Sequence, residues 1–250
     1  MKIIFHPRFY KTYTHDPAAS PGRMEAAAKA LEGRFALVEP TPATDEDLEL
    51  VHTKRHVESV RGEPEIYEMG RLAAGGAIES AKFACQGEPS FALIRPPGHH
   101  ASPDSCWGFC YFNNVAIAIQ RLLQDGEIER ALILDFDLHH GDGTENAFRE
   151  RSMVVYHHPE GSGRAALMGS ILDLLREAER FDILAVSAGF DRHEEDWGGT
   201  LTTEDYRTIG QHVKEATLRV CQGRRFGVLE GGYNHAVLGL NVRAFIEGMA

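Results

Sequence analysis

A chain of 250 residues, 43% hydrophobic and 25% charged, holds enough apolar side chain for a sizeable globular core. A net charge of -11 without any basic run argues against a nucleic-acid binder. No apolar stretch reaches the roughly 18 residues of a membrane span, and four scattered cysteines make neither a disulfide framework nor a zinc ribbon.

Met1-Lys-Ile-Ile-Phe5 reads as a strand over Lys2–Phe5 rather than as a signal peptide, and with reduced thiols this predicts a cytoplasmic protein. A helix follows over Arg23–Leu31 after Ser-Pro-Gly, and an Ala-rich one over Ile66–Ala84. Next come a strand at Ser90–Ile94, a helix at Asn114–Leu123, and strands at Ala131–Phe136 and Met153–Tyr156. A helix at Ala165–Arg180, a strand at Ile183–Ala188, a helix at Glu204–Cys221 and a strand at Phe226–Leu229 complete the pattern. Alternating β and α units predict one α/β domain over residues 1–250, with a mostly parallel sheet covered on both faces. In such sheets ligands bind beyond the carboxyl ends of the strands.

The unusual residues fall at those ends. Arg95-Pro-Pro-Gly-His-His100 follows one strand, Asp135-Phe-Asp-Leu-His-His-Gly-Asp-Gly-Thr144 another, Gly189-Phe-Asp191 a third and Glu230-Gly-Gly-Tyr233 a fourth. Side chains two apart on extended chain share a face, which puts Asp137 and His139 together, and Asp191 reaches them from a neighbouring strand end. Two carboxylates and one imidazole hold a divalent metal with positions open for water and substrate. The tandem His99 and His100, aimed by a Pro-Pro-Gly turn, suit an acid/base pair, with Asp135 and Asp142 as carboxylates to orient them. Tyr233, after Gly231-Gly232, can donate to a developing oxyanion.

His99-His100, Gly108-Phe-Cys-Tyr-Phe-Asn-Asn114, Asp135-x-Asp-x-His-His-Gly-Asp-Gly-Thr144, Ser187-Ala-Gly-Phe-Asp191 and Glu230-Gly-Gly-Tyr-Asn234 together resemble the metal-dependent histone deacetylase superfamily, in its class II and bacterial branches. The resemblance runs in order along nearly the whole chain and takes in Leu50-Val-His52. It implies an arginase/deacetylase fold and hydrolysis of N-acetyl amides such as acetyl-lysine or acetylpolyamines. It further implies Zn²⁺, or Fe²⁺, on Asp137, His139 and Asp191, with His100 paired to Asp142 as general base and acid and His99 paired to Asp135 as its partner. Tyr233 would be the oxyanion donor, Phe109 a wall of the acyl channel, and Gly108 and Gly231 further substrate contacts. Arg23 reads either as the arginine of an internal acetate channel or as an ordinary helix-start residue. Main-chain oxygens of Asp135, Asp137 and His139 would hold a structural K⁺.

The chain departs from the family between Asp142 and Asp191, where Tyr156-His-His-Pro-Glu-Gly-Ser-Gly163 replaces a longer insert that would carry the wall opposite Phe109. Tyr156 also stands where the family has a serine near the K⁺ site. Around Arg61-Gly-Glu-Pro-Glu65 the rim loop is short. These losses predict a wide, shallow pocket open to bulkier acyl groups unless a homo-oligomer completes it. The competing function is a catalytically weak acyl-binding protein of the same fold. An arginase-like ureohydrolase is disfavoured, because that chemistry needs two Mn²⁺ and more carboxylates.

Overall fold

A computed structural model describes residues 1–250. Its strands are β1 (Lys2–Ile4), β2 (Ala36–Val38), β3 (Ser90–Ala92), β4 (Ala131–Asp135), β5 (Val154–His157), β6 (Ile183–Ala188) and β7 (Arg225–Leu229). They form one parallel sheet in the order β2-β1-β3-β7-β6-β4-β5. Every residue of β3, β4, β6 and β7 is buried, as expected of parallel strands covered on both faces.

The helices are α1 (Arg23–Leu31), α2 (Asp45–Leu48), α3 (Lys54–Arg61), α4 (Pro64–Cys85), α5 (Asn114–Gln124), α6 (Asp142–Phe148), α7 (Arg164–Glu177), α8 (Thr203–Val220) and α9 (His235–Met249). Helices α4 and α5 pack together, while α9 packs against α1 and α8. None is long and apolar enough to cross a membrane.

The predicted elements recur with small shifts at their ends. Strand β2 escapes the sequence pattern because it is a three-residue edge strand with Ala36 and Leu37 exposed. Helix α9 escapes it for the opposite reason: ten of its residues are buried and it lacks a continuous polar face to set a period.

The long loop between β3 and α5 carries the tandem histidines and is pinned from below. His52 is buried, with Nδ1 3.0 Å from the Ser102 carbonyl and Nε2 accepting from the Asn113 N–H at 2.9 Å. Asn113 in turn caps α5 and bonds the Ala101 carbonyl. A neutral ring satisfies both bonds, and burial, then the charge of His56, pushes the His52 pKa down to about 3. The unfolded chain therefore takes up a proton near pH 6.5 that the fold refuses, so this contribution to stability is intact above pH 6.5 and is lost on going down toward pH 3. His52→Gln should flatten the acid limb of urea-unfolding free energy by up to about 1.4 kcal/mol per pH unit. An unchanged slope would refute the assignment.

Candidate active site

Four adjacent strands, β3, β7, β6 and β4, deliver the reactive residues to one edge. Beyond β4 the chain turns on its own carboxylates: Asp135 Oδ1 accepts the Asp137 N–H at 3.1 Å, and Asp137 Oδ1 accepts the His139 N–H at 2.9 Å. Asp191, at the end of β6, accepts the Leu138 N–H through Oδ1 at 3.0 Å. One ligand atom each from Asp137, His139 and Asp191 lies within 4.8 Å of the others. His139 Nδ1 is 3.3 Å from both Asp137 Oδ1 and Asp191 Oδ2.

Asp191 Oδ2 is buried and takes no hydrogen bond. An orphaned carboxylate oxygen inside a protein is costly without a counter-charge. Burial, then repulsion from Asp137, pushes Asp191 up to about 6, while the two carboxylates push His139 up to about 10. Asp137 is drawn the other way: burial opposes its charge, but His99, His139 and the Gly231 N–H outweigh burial and lower it. Two carboxylates thus converge on a single imidazole, a donor set that suits a divalent cation. Gly189 and Gly231 leave room for it, since a Cβ on either would collide with the Asp137 carboxylate.

Gly231, expected against substrate, has its N–H donating to Asp137 Oδ2 at 2.8 Å, because the turn after β7 brings its backbone close to the Asp137 and Asp191 carboxylates. Gly108 and Phe109 do line the cavity. Both adopt left-handed backbone, with φ of 58° and 65°, which turns the Phe109 ring inward, and a side chain on Gly108 would strike the His100 ring.

His99 Nδ1 lies 3.1 Å from Asp135 Oδ2, and His100 Nδ1 lies 2.7 Å from Asp142 Oδ1. The two rings are 4.0 Å apart and both are buried. Burial works against a charge on His99, but Asp137 and Asp135 outweigh it and raise its pKa; burial and the charge of His99 lower that of His100. The two shifts run in opposite directions: the surroundings favour the charged form of His99 and the neutral form of His100. Glu230 ties the loop to β7, accepting from Gly98 N at 2.6 Å, His99 N at 3.3 Å and Ser187 Oγ at 3.2 Å.

Tyr233 faces the same cavity. Its loop is anchored by Asp196 Oδ2, which accepts the N–H groups of Tyr233 and Asn234, both at 2.8 Å. Burial, then Asp137 and Asp191, raises its pKa, so the phenol keeps its proton and can donate. Arg23 is wholly buried behind it, its guanidinium 5.5 Å from the Tyr233 ring, with bonds to the carbonyls of Gly232 and Glu230 at 2.8 and 2.5 Å. An ordinary helix-start arginine would lie in solvent.

Phe109 forms one wall, and two tryptophans that the sequence did not single out form others. Trp197 stacks on Tyr233 at 4.0 Å and 25°, opposite Phe109, which meets Tyr233 edge-on at 6.1 Å. Trp107 lies against His100 with ring centroids 3.9 Å apart and planes tilted by 34°, and donates its indole N–H to Asp142 at 3.0 Å. The cavity they enclose with Pro97 and His139 is about 130 Å³. The expected wide, shallow pocket is thus corrected to a small one, because tryptophans from two other loops stand in for the missing insert. The sequence offers only a faint hint of them: each of the two tryptophans directly precedes a glycine.

A model of the histone deacetylase domain matches residues 61–159 and 157–249. The chain belongs to the histone deacetylase family. Its relatives include the "probable deacetylase" of Methanothermobacter thermautotrophicus, 33% identical over 305 aligned positions, covering 99% of this chain and 90% of that protein. An alignment longer than the chain means that this relative carries segments the chain lacks. The histone deacetylase-like amidohydrolase of Pseudomonas aeruginosa is 30% identical, covering 88% of this chain and 72% of that one. In the crystal structure of the HDA15 HD domain the fold superposes with a TM-score of 0.88 at 25% identity, over 99% of this chain and 88% of that one. The sheet and its flanking helices are therefore the arginase/deacetylase fold, and the family is one of generally metal-dependent amide hydrolases.

Proposed function

We propose that this histone deacetylase-family chain is a zinc-dependent hydrolase that removes acetyl groups from small acetylated amines or acetyl-lysine. The observation that carries the reading is the orphaned Asp191 oxygen beside Asp137 and His139, the last of which lines a cavity together with His100 and Tyr233. A nitrogen and two carboxylate donors suit Zn²⁺, with Fe²⁺ the next choice.

A divalent cation there supplies Lewis acidity to the amide carbonyl and acidity to a water. The protein does the rest. His100, neutral and fixed by Asp142, accepts the proton of the attacking water on Nε2 and returns it to the departing amine. Charged His99, held by Asp135, biases its neighbour toward the neutral form. The Tyr233 O–H donates to the carbonyl oxygen as negative charge develops on it. Phe109, Trp107 and Trp197 exclude water and grip the acyl group and the stem behind it.

The reading of the chain as a mere acyl-binding protein drew on lost walls, and Trp107 and Trp197 remove that support. A test is hydrolysis of acyl-lysine peptides of increasing chain length and of acetylpolyamines by the zinc-loaded protein. Acetyl should be preferred, with hexanoyl down roughly tenfold or more by overpacking of the small cavity. Trp197→Ala should narrow that gap. Equal rates for acetyl and hexanoyl would refute the small-cavity selectivity, and no hydrolysis of any member would refute the enzyme.

A further inference from the structure

The resemblance implied a potassium ion on main-chain oxygens of Asp135, Asp137 and His139. The residues present do not fit one. Arg192, the residue after Asp191, turns inward and is 6% exposed. Its Nε donates to the carbonyls of Phe136 at 3.1 Å and Asp137 at 3.0 Å, and one terminal nitrogen lies 3.0 Å from His158 Nε2. A monovalent cation on the Asp137 carbonyl would share that oxygen with a buried guanidinium of like charge, in a setting where water screens little. On the other flank the Tyr156 hydroxyl donates to Asp135 Oδ2 at 3.0 Å and accepts the Gly141 N–H at 2.8 Å. It closes the strand end with a hydrogen bond instead of offering a ligand. His158, just past β5, meets the guanidinium through Nε2.

We propose that Arg192 is a tethered replacement for the monovalent cation: its guanidinium fixes the carbonyls of the β4–α6 loop, so that the Asp137 carboxylate is presented to the divalent metal without potassium. Arg192 is then a positioning residue acting through Asp137. The inference rests on the proposed metal set but not on the proposed substrate.

Two measurements test it. Zinc affinity, by competition with a chelating dye, and rate on an acetylated substrate are followed in the full chain while KCl replaces choline chloride at constant ionic strength. Wild type should show no response in either. Arg192→Ala should lose about 10–100-fold in zinc affinity, the range for groups that support metal ligands, and should recover part of it on addition of K⁺ or guanidinium ion. Arg192→Lys should retain more affinity than Arg192→Ala. Several-fold stimulation of wild type by K⁺ overturns the proposal, and this arm needs no variant to fold. It is equally overturned if Arg192→Ala binds zinc as wild type does, or if its loss responds to neither cation. Zinc binding that follows the predicted pattern in a protein that hydrolyses no acetyl amide would sink the proposed function and leave this inference standing.

Discussion

Tyr233→Phe should lower the rate of acetyl-amide hydrolysis roughly 10²–10³-fold, the usual cost of one oxyanion donor, while zinc stoichiometry and the melting profile stay near wild type. The hydroxyl is the atom at stake. The ring is held independently, by Trp197 stacked at 4.0 Å, Phe109 at its edge and Arg23 behind it, so phenylalanine keeps the packing. The loop is held by backbone bonds to Asp196 that the substitution does not touch. The loss should fall on kcat more than on KM, because the bond is made to charge that develops in the transition state. A variant as fast as wild type would remove Tyr233 from the chemistry.

Asp191→Asn should cost at least about 100-fold in zinc affinity, beyond what removal of a supporting group does, and yet should stabilise the metal-free protein. The two effects share one cause. Asp191 is raised to about 6 by burial and by Asp137, so in the metal-free fold its ionisation is penalised. The sign follows: the unfolded chain gives up this proton near pH 4 and the fold only near pH 6, so metal-free stability falls across that window and stays low above it. The penalty is on the order of 1–3 kcal/mol at neutral pH. The asparagine, uncharged throughout, should flatten that window in thermal melts of the chelated protein. Melts in which it retains the wild-type slope, or in which zinc stabilises both proteins equally, would show that Asp191 does not carry the negative charge assigned to it.

Much of this site could be read from sequence because its logic is local. Asp135, Asp137 and His139 declare themselves through two-residue spacing at a strand end, and the tandem histidines through a rigid Pro-Pro-Gly turn. The alternation of strand and helix gave the sheet for the same reason, since each buried strand is a short apolar run. The tryptophan walls were not legible: Trp107 and Trp197 are each half-exposed, carry no periodic signal and become partners through loops folding over Tyr233 and His100. Arg192 was hidden differently. An arginine beside an aspartate reads as solvent-facing, and nothing in the spacing shows that it will bend under β4 to bond the Phe136 and Asp137 carbonyls.

The strand order also governs when the site can exist. The four strands that carry it are neighbours in the sheet but enter from widely separated parts of the chain, and β7 with Tyr233 comes last. A nascent chain that has just passed β4 and the loop after it owns Asp137 and His139 but neither Asp191 nor the phenol. It can hold a metal only weakly and cannot polarise an amide. Pairings so distant in sequence form late in folding. Reactivity is therefore withheld until nearly the whole polypeptide has been made and docked, and a chain interrupted before β7 should be inert rather than indiscriminately hydrolytic.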